Sequence, residues 1–160
     1  MGNYRNFELV VYFVAHGVKS VDEAKLNKQI EFFEKYMRID KVYLEPFRDG
    51  CFASEEQLRL CKDIFAKHGI KSQGGITTSM PDPEGAHPKQ RLFNVMCYND
   101  EVMMDTLQQV CEMNARVFDG FIIDDFFFTN CTCEKCRSER DKYNKEHGIT
   151  DGSWQAYRTH

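Results

Sequence analysis

Four apolar stretches separated by three amphipathic ones constrain this chain more than any other feature. Phe7 to Ala15 (FELVVYFVA), Lys41 to Pro46 (KVYLEP), Ile70 to Thr77 and Gly120 to Phe128 (GFIIDDFFF) each have strand character. The first suits a strand covered on both faces, Pro46 ends the second, and the fourth is the strongest of the set. Between them, Leu26, Ile30, Phe33 and Met37 recur at helical steps, as do Leu58, Cys61, Ile64 and Phe65. Met103, Leu107, Val110 and Val117 mark a third helix. Ser20 or Asp22 caps the first helix, Ser54 with Gln57 the second, and Asn99 or Asp100 the third. Gly69 is placed to stop the second. Strands alternating with helices at this spacing predict βαβ units, and so an α/β fold with a parallel sheet. His16 ends the first strand and Glu45 with Arg48 ends the second, so all three are candidates for substrate binding. The alternatives are a structural histidine and a simple Glu45–Arg48 ion pair.

The seven cysteines are an odd number without the regular spacing of a disulfide scaffold. Three of them form C-x-C-x-x-C at Cys131, Cys133 and Cys136. A turn at that spacing brings three sulfurs together, and zinc favours four such donors in a tetrahedron. Cys97 is the best fourth ligand, because its loop and the loop after the fourth strand both lie at carboxyl ends of parallel strands. His87, in the same long connection, is the substitute. Four protein ligands leave no open position, so the ion would be structural, and a zinc-dependent redox or hydrolytic enzyme fits less well. Free thiols or a partial disulfide are the other outcome. Cys61 and Cys111 fall on apolar helix faces and read as small core residues.

Asp124 and Asp125 stand where the fourth strand meets its loop. Adjacent strand residues point to opposite faces, so only one of them can face a site while the other holds a helix start or a neighbouring strand; the alternative is that both are structural hydrogen-bond acceptors. The net charge of −4 carries no basic or acidic block, which argues against a nucleic-acid surface or a polybasic membrane patch. No apolar run approaches the roughly 18 residues of a membrane span. The N-terminal stretch lacks the charged start and small-residue cleavage site of a signal peptide, which leaves cytoplasm and periplasm both open.

NVMCYND (Asn94 to Asp100), GFIIDDFFF and CTCEKC together resemble the first half of the catalytic barrel in glycoside hydrolase family 42 β-galactosidases. The resemblance spans roughly residues 7 to 160. It implies a structural zinc site with four cysteine ligands, Cys97, Cys131, Cys133 and Cys136, and a carbohydrate substrate. In that family the fourth strand ends in Asp-Asn-Glu, the Glu being the general acid/base. Here Asp124, Asp125 and Phe126 stand at those positions. The acid role then passes to Asp125 or Asp124, or the chain is a non-catalytic, zinc-stabilised carbohydrate-binding or degenerate barrel.

A closed eight-stranded barrel takes about 250 residues, and this chain of 160 supplies four βα units. The expectation is therefore the N-terminal half of a (β/α)8 barrel with no internal boundary. Its open edges predict self-association or a C-terminal half elsewhere. The second carboxylate of glycoside hydrolysis would come from that other half, and the isolated chain would be inactive.

Overall fold

The computed structural model describes residues 6–82, 85, 87, 95–124 and 129–160. In chain order the elements are β1 (Val10–Phe13), α1 (Ala15–Lys19), α2 (Glu23–Glu34), β2 (Lys41–Leu44), β3 (Phe47–Arg48), β4 (Cys51–Phe52) and α3 (Glu55–Lys67). They continue with β5 (Lys71–Ile76), α4 (Glu101–Val117), β6 (Phe121–Ile123), α5 (Glu134–Glu146) and α6 (Trp154–Arg158). The chain forms two compact units, one of Met1–Thr78 with Leu107–Phe127 and one of Ser79–Thr106 with Phe128–His160.

The first unit holds a four-stranded, wholly parallel sheet in the order β1-β2-β5-β6. This is the α/β arrangement that the alternation predicts. Leu26 and Ile30 of α2 and Leu58, Cys61, Ile64 and Phe65 of α3 bury their stripes with Val42 and Leu44 in one core. Asp22 caps α2 through the Lys25 N–H at 2.7 Å. Ser54 and Gln57 form a complete capping box on α3, each side chain accepting the other's backbone N–H. Gly69 follows α3 with φ +72°, the left-handed conformation that glycine adopts without strain.

Three expectations change. The first strand stops at Phe13, and from Ala15 the chain turns into α1, so His16 lies on a short helix and not at a strand end. β1 is also an edge strand, with Val10 exposed, and is not covered on both faces. The fourth strand is three residues long at the other edge, with Phe121 and Ile122 exposed. An apolar run signals a strand but does not say how many neighbours that strand has. The rest of that run, Asp125 to Phe128, lies outside the described residues. Between Leu44 and Ser54 an unforeseen hairpin pairs Phe47 with Phe52 and Arg48 with Cys51. Asp49 (φ 48°) and Gly50 (φ 79°) make its turn, the left-handed pair that a two-residue hairpin needs.

In the second unit, Ser153 caps α6 through the Ala156 N–H, and Asn144 of α5 donates to the Ser153 carbonyl at 3.2 Å. Trp154 has the Arg140 and Arg158 guanidinium groups 4.5 and 4.6 Å from its ring, a cation–π arrangement. Asp100 starts α4 by accepting the Met103 N–H at 2.9 Å. Among the described residues no helix is long and apolar enough to cross a membrane.

Gly74 of β5 lies directly under Asn114 of α4, and a Cβ built there overlaps the Asn114 side-chain oxygen. Asn114 is fully buried and held by its own helix through the Val110 carbonyl, so it cannot swing clear. Gly74→Ala should cost about 1–3 kcal/mol in urea unfolding, and Asn114→Ala in the same chain should recover part of it. An unchanged midpoint in the single variant would contradict this packing.

Candidate functional site

The first unit gathers polar side chains at the carboxyl ends of its strands. Glu45, one residue past β2, is fully buried, and both its oxygens are occupied. Oε2 accepts the Ala15 backbone N–H at 3.0 Å and Arg48 Nε at 2.8 Å. Oε1 accepts Arg48 Nη2 at 3.0 Å, the Tyr12 hydroxyl at 3.1 Å and the Thr77 hydroxyl. One carboxylate therefore ties together β1, α1, the β3–β4 hairpin and the residue after β5. It also supplies the acceptor that α1 lacks, since Val14 at its N-cap makes no side-chain cap.

Arg48 is the half-buried outlet of this cluster. Its fork pairs with Glu45 in two-point fashion, Nη2 also donates to Thr77 at 3.0 Å, and Nη2 stands 3.9 Å from Asp124 just past β6. Burial works against the guanidinium charge, but the hydrogen bonds and charge of Glu45 outweigh it, so Arg48 titrates above its ordinary range. Burial, then the adjacent Glu45 charge, pushes the Tyr12 hydroxyl well above the usual phenol range, with the Thr77 hydrogen bond opposing. Tyr12 is thus a neutral donor.

The structure brings together Glu45, Arg48 and Asp124 of the sequence candidates. His16 is exposed on α1, and no hydrogen bond among the described residues joins its ring to them. Asp125 lies outside the described residues. Tyr12 and Thr77 are members of this cluster that sequence reasoning missed. The only signal is a hydroxyl inside an apolar run for Tyr12 and one just past the end of a run for Thr77.

The second unit gathers the thiols. None of the seven cysteines is in a disulfide. Cys97 Sγ is 3.9 Å from Cys133 Sγ and 3.4 Å from Cys136 Sγ. Cys131 Sγ is 3.4 Å from His87 Nδ1. The donor atoms of His87, Cys97, Cys131 and Cys133 all lie within 4.8 Å of one another, an arrangement that can hold a metal ion. Burial pushes the Cys131 thiol up to about 11 and raises Cys97 further. Burial also opposes the Cys133 thiolate, but hydrogen bonds from the Cys136 backbone and from Cys136, His87 and Cys131 side chains pull it down to about 6. Cys61 is core as expected, whereas Cys111 is only half-buried.

Comparison with known proteins places these features. A family model described as "Probable glycosyl hydrolase, catalytic domain" matches residues 1–160. An uncharacterized protein of Saccharolobus solfataricus is 31% identical over 131 residues, which is 82% of this chain. The chain spans only 22% of that relative's length. Among solved structures, a beta-N-acetylhexosaminidase from Bacteroides fragilis superposes with a TM-score of 0.56 at 13% identity, over 90% of this chain and 36% of that one. An alpha-amylase from Geobacillus thermoleovorans aligns at 0.37 and 13% identity over 91% and 45% of the two chains, too loosely to bear on the fold.

Removing Glu45 leaves the Ala15 N–H, the Tyr12 and Thr77 hydroxyls and the half-buried Arg48 without their shared acceptor. Glu45→Ala should therefore destabilise the chain by about 3–5 kcal/mol, measured by denaturant unfolding. A loss below about 1 kcal/mol, the size of an exposed pair, would show that the carboxylate does not organise the strand ends.

Proposed function

The chain belongs to the family of probable glycosyl hydrolase catalytic domains, and from that premise we propose that it supplies the first four βα units of a (β/α)8 barrel that cleaves O-glycosidic bonds. The observation that carries this is the convergence of Tyr12, Glu45, Arg48, Thr77 and Asp124 at the carboxyl ends of β1, β2, β5 and β6. That end of a parallel α/β sheet is where such folds place their chemistry. Arg48 is the group that meets the sugar. Glu45 is buried with both oxygens occupied, so it acts through Arg48 by holding the fork in place. His16 belongs to an outer part of the binding surface.

Proton donation to the leaving oxygen belongs to the aspartate pair. Asp125 is the first choice, because Asp124 already faces Arg48. The second carboxylate, which attacks the anomeric carbon or activates water, comes from the remaining barrel strands. The motifs resemble family 42 β-galactosidases, so an aryl β-galactoside is the first substrate to try, followed by aryl β-glucosides and N-acetyl-β-hexosaminides. Phe126 at the family's Glu position favours a second reading, a barrel that binds carbohydrate without cleaving it.

The thiol cluster fits a structural zinc ion. Zinc bonded to sulfur at about 2.3 Å in a tetrahedron sets sulfurs about 3.8 Å apart, close to the 3.9 Å between Cys97 and Cys133. Zinc there would keep buried thiols as thiolates and clamp the Cys97 and Cys131–Cys136 loops. It takes no part in bond cleavage.

In the complete gene product, Asp125→Asn should lower kcat by about 10²–10⁴-fold, and Asp124→Asn by less. Full activity in both variants would remove the pair from the mechanism. Oligosaccharide binding without turnover by the unmutated protein would favour the binding-only reading. Metal analysis should find one zinc per chain, lost with Cys133→Ser. Metal-free protein purified under reducing conditions would end the zinc assignment.

A further inference from the structure

The thiol cluster contains five donors where a tetrahedral ion needs four. We propose that the metal is held by Cys97, Cys131, Cys133 and His87 Nδ1, with Asp100 orienting the imidazole and Cys136 standing outside the coordination sphere. This rests on the zinc reading above and changes which side chains carry it.

Three features of the second unit support the choice. First, the four donor atoms within 4.8 Å of one another are those of His87, Cys97, Cys131 and Cys133. Zinc with sulfur at about 2.3 Å and nitrogen at about 2.0–2.1 Å sets those two ligands about 3.6 Å apart, and His87 Nδ1 lies 3.4 Å from Cys131 Sγ.

Second, the far nitrogen of the same ring has the partner that a metal-bound histidine takes. His87 Nε2 is 3.4 Å from Asp100 Oδ2. The other oxygen of Asp100 accepts the Met103 N–H at the start of α4, so the carboxylate is fixed independently of the ring. A proton on Nε2 pointing at Asp100 leaves the Nδ1 lone pair aimed into the thiols. Carboxylate–histidine–metal relays of this kind set the tautomer and strengthen the ligand.

Third, Cys136 has a partner outside the four. Its sulfur accepts the Asn99 side-chain N–H at 3.2 Å and lies against Cys97. The Asn99 amide also donates to the Tyr157 hydroxyl at 2.8 Å, which ties α6 to this side of the cluster. A cavity of about 560 Å³ opens onto the cluster, and Asp100, Glu134 and Glu139 outnumber Lys135 among its charged lining residues, which gives a cation a path.

The test is zinc X-ray absorption of the full chain, with cobalt substitution as a second readout. The expected first shell is three sulfurs and one nitrogen, with cobalt d–d bands at shorter wavelength than a four-sulfur site gives. Cys136→Ser should keep one zinc and the same shell. His87→Ala should lose the nitrogen and recruit Cys136. Asp100→Asn preserves a good helix cap and should weaken zinc binding about 10–100-fold in chelator competition. Four sulfurs without nitrogen in the unmutated protein would overturn this ligand set and leave the zinc reading standing. Failure to bind zinc at all would overturn both.

Discussion

The first unit depends on the buried carboxylate of Glu45. A charge without solvent costs several kcal/mol unless paired and hydrogen-bonded on both oxygens. Here the partners come from four places in the chain: Tyr12 in β1, the Ala15 N–H in α1, Arg48 in the hairpin and Thr77 after β5. Each was needed for some other reason, the helix for an acceptor and the guanidinium for an anion. Satisfying one group therefore sets the relative positions of three strand ends. Arg48 is left half-exposed beside Asp124, with its orientation fixed before any ligand arrives, which is the preorganisation that binding sites require.

The second unit solves a comparable problem with sulfur. Cys97 and Cys131 are buried close together, where thiolates repel one another and burial opposes their charge. A divalent cation relieves both penalties at once. His87 and Asp100 extend the cluster to the start of α4, and Asn99 extends it to α6. An ion held by four protein side chains would serve to fix loops, since no position around it would be left open.

Much of the fold was legible because the helices announce themselves locally. Asp22, the Ser54–Gln57 box and the apolar spacings of α3 and α4 are visible within a few residues, whereas of the α2 stripe Leu26 and Ile30 are buried, Phe33 is exposed and Met37 lies past the helix. Strand extent was less so. GFIIDDFFF reads as the best strand, and among its described residues Phe121–Ile123 pairs at the sheet edge with Phe121 and Ile122 exposed, because an apolar run does not report its neighbours. The hairpin had a signal in Asp49-Gly50, the dipeptide for a two-residue turn, and that turn is what delivers Arg48 to Glu45. Tyr12 and Thr77 could not be found, since their role comes from a carboxylate more than thirty residues away in sequence. The metal donors were the reverse case. C-x-C-x-x-C named the cluster from spacing alone, whereas His87's bridge to Asp100 appears only once the chain is folded.

The central claim is that the strand ends around Arg48 and Asp124 form the sugar site. The most direct measurement is a crystal structure of the complete protein with a basic sugar mimic, such as an iminosugar, bound. The mimic should lie across the carboxyl ends of β1, β2, β5 and β6, within hydrogen-bond distance of Arg48, with Glu45 still buried beneath it. A mimic bound elsewhere, with Arg48 and Asp124 untouched, would contradict the account.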